Sequence, residues 1–184
     1  MPRAEVIIML VVLVLSSVWN LVYAVGIGLI IASLMFMKKI GDLTADLSKI
    51  NTLDKEFEWD DESDFPKKLR EEVYIIHIRG PLFFGSTSDF QNLEKHIPKA
   101  AFAAIIIMDK MPYIDQSGLY AMEDVLNNLV ANSIKILLIH LKEQPKSLME
   151  KIDIIPGLVP IDQIFDDFDG ALLWVKNNVK DNNQ

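Results

Sequence analysis

Ile105-Ile106-Ile107-Met108-Asp109-Lys110-Met111-Pro112-Tyr113-Ile114-Asp115-Gln116-Ser117-Gly118-Leu119-Tyr120-Ala121-Met122-Glu123 is the stretch that decides how the charged part of this chain folds. From Ala103 to Met108 every side chain is apolar, which predicts a strand buried on both faces. Within seven residues the apolar period changes. Leu119, Met122, Leu126 and Leu129 recur at spacings of three, four and three, so they share one face of a helix that begins after Asp115. Asp115 is an N-cap type, and the first backbone N–H groups of a helix have no acceptor within it, so Ser117 and Gly118 are expected to present free N–H groups. Such a helix start favours negative charge. A phosphate on Ser117 would be held there by the amides, although the neighbouring Asp115 carboxylate opposes a second anion. Capping alone is the plainer role for Asp115 and Ser117, because these are the usual residue types at that position.

The same alternation continues on either side. Val73-Tyr74-Ile75-Ile76-His77-Ile78-Arg79 predicts a strand ended by Gly80-Pro81, and Leu82-Phe83-Phe84 a second short strand, the two forming a hairpin. Ser88 to Ile97 predicts a helix with Phe90, Leu93 and Ile97 on one face and Pro98 as terminator. Ile134 to Leu141 returns as a strand. Pro145 suits the first turn of a helix carrying Leu148 and Ile152, and Ala171, Leu172, Val175 and Val179 lie on one face of a last helix. The pattern is that of an α/β domain, a mixed β-sheet with flanking helices, whose central strands are 103–108 and 134–141.

The amino-terminal part is of another kind. No charged side chain occurs from Val6 to Met37, a run at least twice the roughly 7–15 apolar residues of a cleavable signal peptide, so a retained membrane segment is expected. One helix of 32 residues would measure about 48 Å, against about 30 Å of hydrocarbon. Ser16-Ser17-Val18-Trp19-Asn20 interrupts the run and predicts two short helices in a hairpin; one long tilted helix is the alternative. A hairpin puts Arg3 and Lys38-Lys39 on one side, which the positive-inside bias makes the cytosol. Gly26, Gly28, Ala32 and Ser33 are spaced for close helix contact. The expected organisation is a transmembrane segment over 1–40, an acidic linker over 41–68 and a cytosolic domain over 69–184. Asp54, Glu56, Glu58, Asp60, Asp61, Glu62 and Asp64 crowd the linker, with no turn glycine to arrange them as a calcium loop, and Phe57 and Trp59 are candidates to dock on the domain.

Residues 41–184 carry 15 basic and 25 acidic side chains, a surface that repels nucleic acid. Without cysteine there is no disulfide framework, thiolate metal site or cysteine nucleophile. His77, His96 and His140 lack metal-ligand spacing, and no glycine-rich phosphate loop is present. No enzyme, cofactor or metal site is expected.

Taken in order, the opening strand, Gly80-Pro81-Leu82-Phe83-Phe84, the apolar strand, Asp115-x-Ser117-Gly118-Leu119 and Lys135-Ile136-Leu137-Leu138 resemble the STAS domain shared by sulfate permeases and bacterial anti-sigma-factor antagonists. The Gly-Pro-Leu-Phe-Phe form looks like the transporter branch, and Ala24-Val25-Gly26-Ile27-Gly28 with Lys38-Lys39 looks like its final membrane helix, so the resemblance runs from about Pro2 to Val179. It departs at Asn20, where many transporter relatives are acidic, and at Gln116, where many STAS domains have a second hydroxyl; Ser117 is left as the candidate hydroxyl of the loop.

The resemblance implies the carboxy-terminal regulatory portion of a sulfate-permease (SulP) type anion transporter, active beside a larger membrane domain whose inverted repeats hold the substrate, and either a fragment or a split product of a permease. Its implied partners are the membrane, the transporter membrane domain or a second copy of the chain, and a cytosolic protein bound by the STAS domain. The alternative is a membrane-tethered signalling module switched by phosphorylation of Ser117.

Overall fold

The structure, a computed structural model, describes residues 3–47, 49–56 and 65–181. The chain divides into two compact units, Met1–Leu43 and Thr44–Gln184.

In the first unit, helix α1 (Arg3–Val18) is followed by α2 (Leu21–Leu47), with the break at Trp19-Asn20. Asn20 makes the break: its Oδ1 accepts the Val22 N–H at 2.8 Å, capping α2, while Ser16 and Ser17 donate back to the Leu13 carbonyl oxygen. Trp19 and Tyr23 stack beside the turn, ring centroids 5.6 Å apart. Close helix contact is realised at Gly28, where a Cβ would collide with Val12 of α1; nothing approaches the Cβ position of Gly26, and Ala32 and Ser33 are exposed. The helices are not equally short. Among the described residues one helical stretch is long and apolar enough to cross a bilayer, Leu21–Asp42, about 33 Å at 1.5 Å per residue, whereas the apolar part of α1 is Val6–Val18. Lys38 and Lys39 end the apolar run but not the helix, since residues 38–47 contain no proline to stop it.

The second unit is built on one five-stranded sheet in the order β1-β2-β3-β4-β5. Strand β1 (Lys49–Thr52) leads into a single helical turn, α3 (Leu53–Glu56), and α4 (Lys67–Glu72) precedes β2 (Val73–Arg79). A 3₁₀ turn over Phe84–Ser86 opens α5 (Thr87–Glu94), then come β3 (Ala103–Lys110), α6 (Gln116–Ala131), β4 (Lys135–Ile139) and α7 (Glu143–Lys151). Strand β5 (Ile164–Phe165) and α8 (Phe168–Asp181) close the unit. β1 pairs antiparallel with β2, and β2, β3, β4 and β5 are mutually parallel, so the sheet is mixed as expected.

Strand alternation sorts the core onto two faces. Ile76, Ile78, Ala104, Ile106, Met108, Ile136 and Leu138 face one side, where Phe90 of α5, Leu119, Met122, Leu126 and Leu129 of α6, and Met149 of α7 cover them. Val73, Ile75, Ala103, Ile105, Leu137 and Ile139 face the other, under Leu53, Leu69 and the Ala171 and Val175 stripe of α8. Each fully buried aliphatic side chain contributes about 1.5–3 kcal/mol, which makes the α6 face a principal source of stability.

Three expectations are corrected. Leu82-Phe83-Phe84 forms no hairpin with β2, because both edges of β2 are taken: Ile76 stands opposite Ile50 of β1 and Ile106 of β3. Gly80, at φ 94°, turns the chain away, and Leu82 instead makes one parallel bridge to Ile114. The helix expected over 88–97 ends at Glu94; His96 and Ile97 continue as tighter turns that bond to Leu93 and Glu94, still burying Ile97. The stretch 41–68, read as linker from its charge, holds the end of α2, strand β1 and α3. Phe57 and Trp59 and the acidic positions 58 to 64 lie outside the described residues.

Candidate functional site

The loop from β3 to α6 is seated by its apolar residues. Met111 and Ile114 are fully buried, while Tyr113 between them is half-exposed. Gln144, at the start of α7, meets the loop as a strand would: its Oε1 accepts the Ile114 N–H at 3.0 Å and its Nε2 donates to the Ile114 carbonyl oxygen at 2.9 Å. On the opposite side the Leu82 N–H donates to the Tyr113 carbonyl oxygen and the Asp115 N–H to the Leu82 carbonyl oxygen, both at 3.0 Å. The loop is thus hydrogen-bonded along both flanks, a fixed platform for the helix start.

Asp115 is the N-cap of α6, with extended φ and ψ. Its Oδ1 accepts the Gly118 N–H at 2.7 Å and its Oδ2 accepts the Phe84 N–H at 3.2 Å, so one carboxylate holds the helix and the 83–86 turn together. Buried Ser86 ties that turn from within, its Oγ accepting the Phe83 N–H and donating to the Phe83 carbonyl oxygen. Of the two N–H groups expected free, that of Gly118 is therefore occupied. Gln116 and Ser117, as the first two helical residues, carry the N–H groups that the helix itself leaves open. Both side chains are exposed, with Gln116 Nε2 donating to Tyr120 Oη at 3.3 Å.

Gly118 is required by proximity. A Cβ there would run into the Leu82 carbonyl oxygen and stand 2.8 Å from its carbonyl carbon. Around Ser117 the surface is aromatic as well as polar, since Phe84 (66% exposed), Tyr113 (51%) and Tyr120 (49%) all face solvent. Asp115, Ser117 and Gly118 are brought together as the sequence implies. Gln144 and the exposed aromatic residues were not singled out beforehand; a Gln at the start of a helix carries no sequence signal for a contact 30 residues away.

The geometry assigns different burdens to the two polar residues. Asp115→Ala removes two accepted hydrogen bonds and is expected to cost about 2 kcal/mol, the upper end for a cap, whereas Ser117→Ala should stay within about 0.5 kcal/mol. Urea unfolding of the full chain in detergent, followed by circular dichroism, measures both; equal losses would contradict the described capping.

Among the described residues no group of His, Cys, Asp and Glu is arranged to hold a metal ion. Comparison with known proteins places this architecture. Residues 64–171 match the STAS domain, more than half of the chain. YvdB of Bacillus subtilis (strain 168), whose name makes it a provisional sulfate transporter, is 25% identical over 152 residues, 82% of this chain and 27% of its own length. The chain therefore spans about a quarter of this curated relative. The crystal structure of a sulfate transporter family protein from Wolinella succinogenes is similar at 25% identity and a TM-score of 0.53, over 59% of this chain and 88% of that one. The murine anion transporter Solute Carrier 26 family member A9, solved in the inward-facing state, shares the fold at 18% identity and a TM-score of 0.64, over 93% of this chain and 28% of that one. A mixed sheet with β3 leading through Asp115 into α6, matched over residues 64–171, identifies the chain as a member of the STAS domain family, with relatives among sulfate-permease-type transporters.

Proposed function

We propose that this chain is the regulatory portion of a sulfate-permease-type anion transporter, a membrane-anchored helical hairpin carrying a cytosolic STAS domain, and that it is not an enzyme. The observation that carries this reading is the joint presence of an apolar helix pair and a STAS sheet in one chain, together with a fold likeness to an anion transporter that extends over 93% of the residues and so takes in the helices as well as the sheet. The hairpin contributes anchoring and, with Arg3, Lys38 and Lys39 at its open end, a cytosolic orientation. The exposed surface at Ser117, Phe84, Tyr113 and Tyr120 is where the transporter membrane domain, a second copy or a cytosolic protein would engage the domain.

Replacing the matching segment of a sulfate permease of measured uptake with this chain tests the reading. Radiolabelled sulfate uptake is expected to be retained, and Ser117→Glu in the chimera to change it while membrane levels hold, because added charge at that surface is what a regulatory contact would read. A chimera that reaches the membrane and takes up no sulfate would contradict the reading. Ser117 is also what a phosphorylation-switched signalling module would use, being exposed at the helix start. In that case the chain would bind and release a partner protein according to phosphorylation, with no effect on uptake.

A further inference from the structure

Charge is spread unevenly over the helices of the second unit. α3, α4, α7 and α8 each carry both signs, whereas α5 holds Asp89 and Glu94, α6 holds Glu123 and Asp124, and neither has a lysine or an arginine. Glu94 stands in the last turn of α5, where the helix dipole disfavours an anion, so its charge does not serve that helix.

The two helices meet along a groove lined by Gln91, Asn92, Glu94, Asp124, Asn127 and Asn128. Gln91 Nε2 donates to Asp124 Oδ2 at 3.4 Å, and Asn128 Nδ2 donates to Glu94 Oε2 at 3.2 Å. Carboxamide donors are neutral, so these bridges join α5 to α6 and leave both carboxylate charges uncompensated. Lys95, at the same groove, is turned onto Asn92, its Nζ donating to Oδ1 at 2.8 Å. The face runs on to the start of α6. Ser117, Tyr120, Asp124 and Asn127 follow one another at spacings of three and four and are all exposed, and exposed Phe84 and Tyr113 flank that start.

We propose that this α5–α6 face is the docking surface for a basic cytosolic loop of the transporter membrane domain, whose Lys or Arg side chains meet Glu94 and Asp124 and pack on Phe84, Tyr113 and Tyr120. The proposal rests on the regulatory reading above, which supplies the partner.

Charge complementarity selects this occupant. Cytosolic loops of proteins with many membrane spans carry an excess of Lys and Arg, opposite in sign to the α5–α6 face. An anionic bilayer surface is repelled by the same carboxylates. Arginine suits the face best, because its guanidinium forks onto a carboxylate and its plane stacks on an aromatic ring. The sign of a change at Ser117 follows. Negative charge added there finds no cation on α5 or α6 to pair with, so it strengthens the attraction for a basic loop.

Peptides copying the cytosolic loops of the permease used for the chimera, titrated by fluorescence anisotropy against the full chain in nonionic detergent, test the proposal. A basic loop peptide is expected to bind, with affinity falling about tenfold between roughly 50 and 300 mM salt, and its copy with Glu in place of Lys and Arg should not bind. Glu94→Gln and Asp124→Asn keep an acceptor oxygen for Asn128 and Gln91. Each should weaken binding about two- to fivefold with thermal unfolding unchanged, whereas Ser117→Glu should tighten it about twofold. Absence of binding by every loop peptide, equal affinities in the Gln and Asn variants, or weaker binding by Ser117→Glu would overturn the proposal. Loss of binding matched by loss of fold in both variants would do so too, since the carboxylates would then serve only the contact between α5 and α6. Self-association of the chain that both variants abolish would assign the face to a second copy instead. A chimera that takes up sulfate while no peptide binds removes this docking surface and leaves the regulatory reading; peptides that bind beside a chimera without uptake count against the regulatory reading alone.

Discussion

Gly118→Ala is expected to destabilise the STAS domain by about 1–3 kcal/mol, although in an ordinary helix the same change would stabilise it by about 1 kcal/mol. The sign reverses because the first turn of α6 is pressed against the backbone at Leu82, where the new Cβ would meet the carbonyl oxygen and carbon. That carbonyl cannot retreat freely: it accepts the Asp115 N–H, and the Leu82 N–H is held by Tyr113 on the same loop. Leu82 itself is buried against the α6 face of the core. Relief therefore requires α6 and the 80–86 segment to separate, which stretches the Asp115 contacts to Leu82 and Phe84 together. Thermal unfolding should show a drop of roughly 5 °C or more. A variant as stable as the parent would mean that the segment after β2 does not rest on the helix start.

That contact also shows where sequence reasoning stops. The Asp-x-Ser-Gly motif announced a cap, and the 3-4-3 spacing of Leu119, Met122, Leu126 and Leu129 announced the buried face, because both are local patterns. β3 and β4 were legible for a similar reason: where they are covered on both faces, over 103–108 and 136–139, they are apolar without interruption. The need for glycine at 118 arises from Leu82, 36 residues away, and no local pattern reports it. β1 was missed because Lys49-Ile50-Asn51-Thr52 is a four-residue edge strand with no fully buried position, set in a stretch whose acidic charge reads as linker. Its place in the sheet is decided by its partners on β2, not by its own composition. β5, two residues long, is below the length at which alternation means anything. The false hairpin at Leu82-Phe83-Phe84 came from three β-prone residues after a Gly-Pro turn, and what excluded it was competition, since β1 and β3 already occupied both edges of β2.

For the amino-terminal unit, hydropathy located the end of the apolar run but not the end of the helix. Asn20 was legible as a break, and it acts as one by capping α2. Past Lys38-Lys39 the backbone has no reason to leave the helix, which continues to Leu47. The unequal helices bear on function. Transporters build their substrate sites near the bilayer midplane between repeated bundles, from broken helices that aim backbone groups at the ion. Within the described residues of this unit there are two helices in contact through Gly28 and Val12, and one of them is long enough to cross a bilayer.

The most direct test of a regulatory rather than conducting role is radiolabelled sulfate uptake by liposomes containing the purified chain alone, with protein incorporation verified. Uptake equal to that of empty liposomes is expected; uptake above that level, rising with the amount of chain incorporated, would contradict the proposed role.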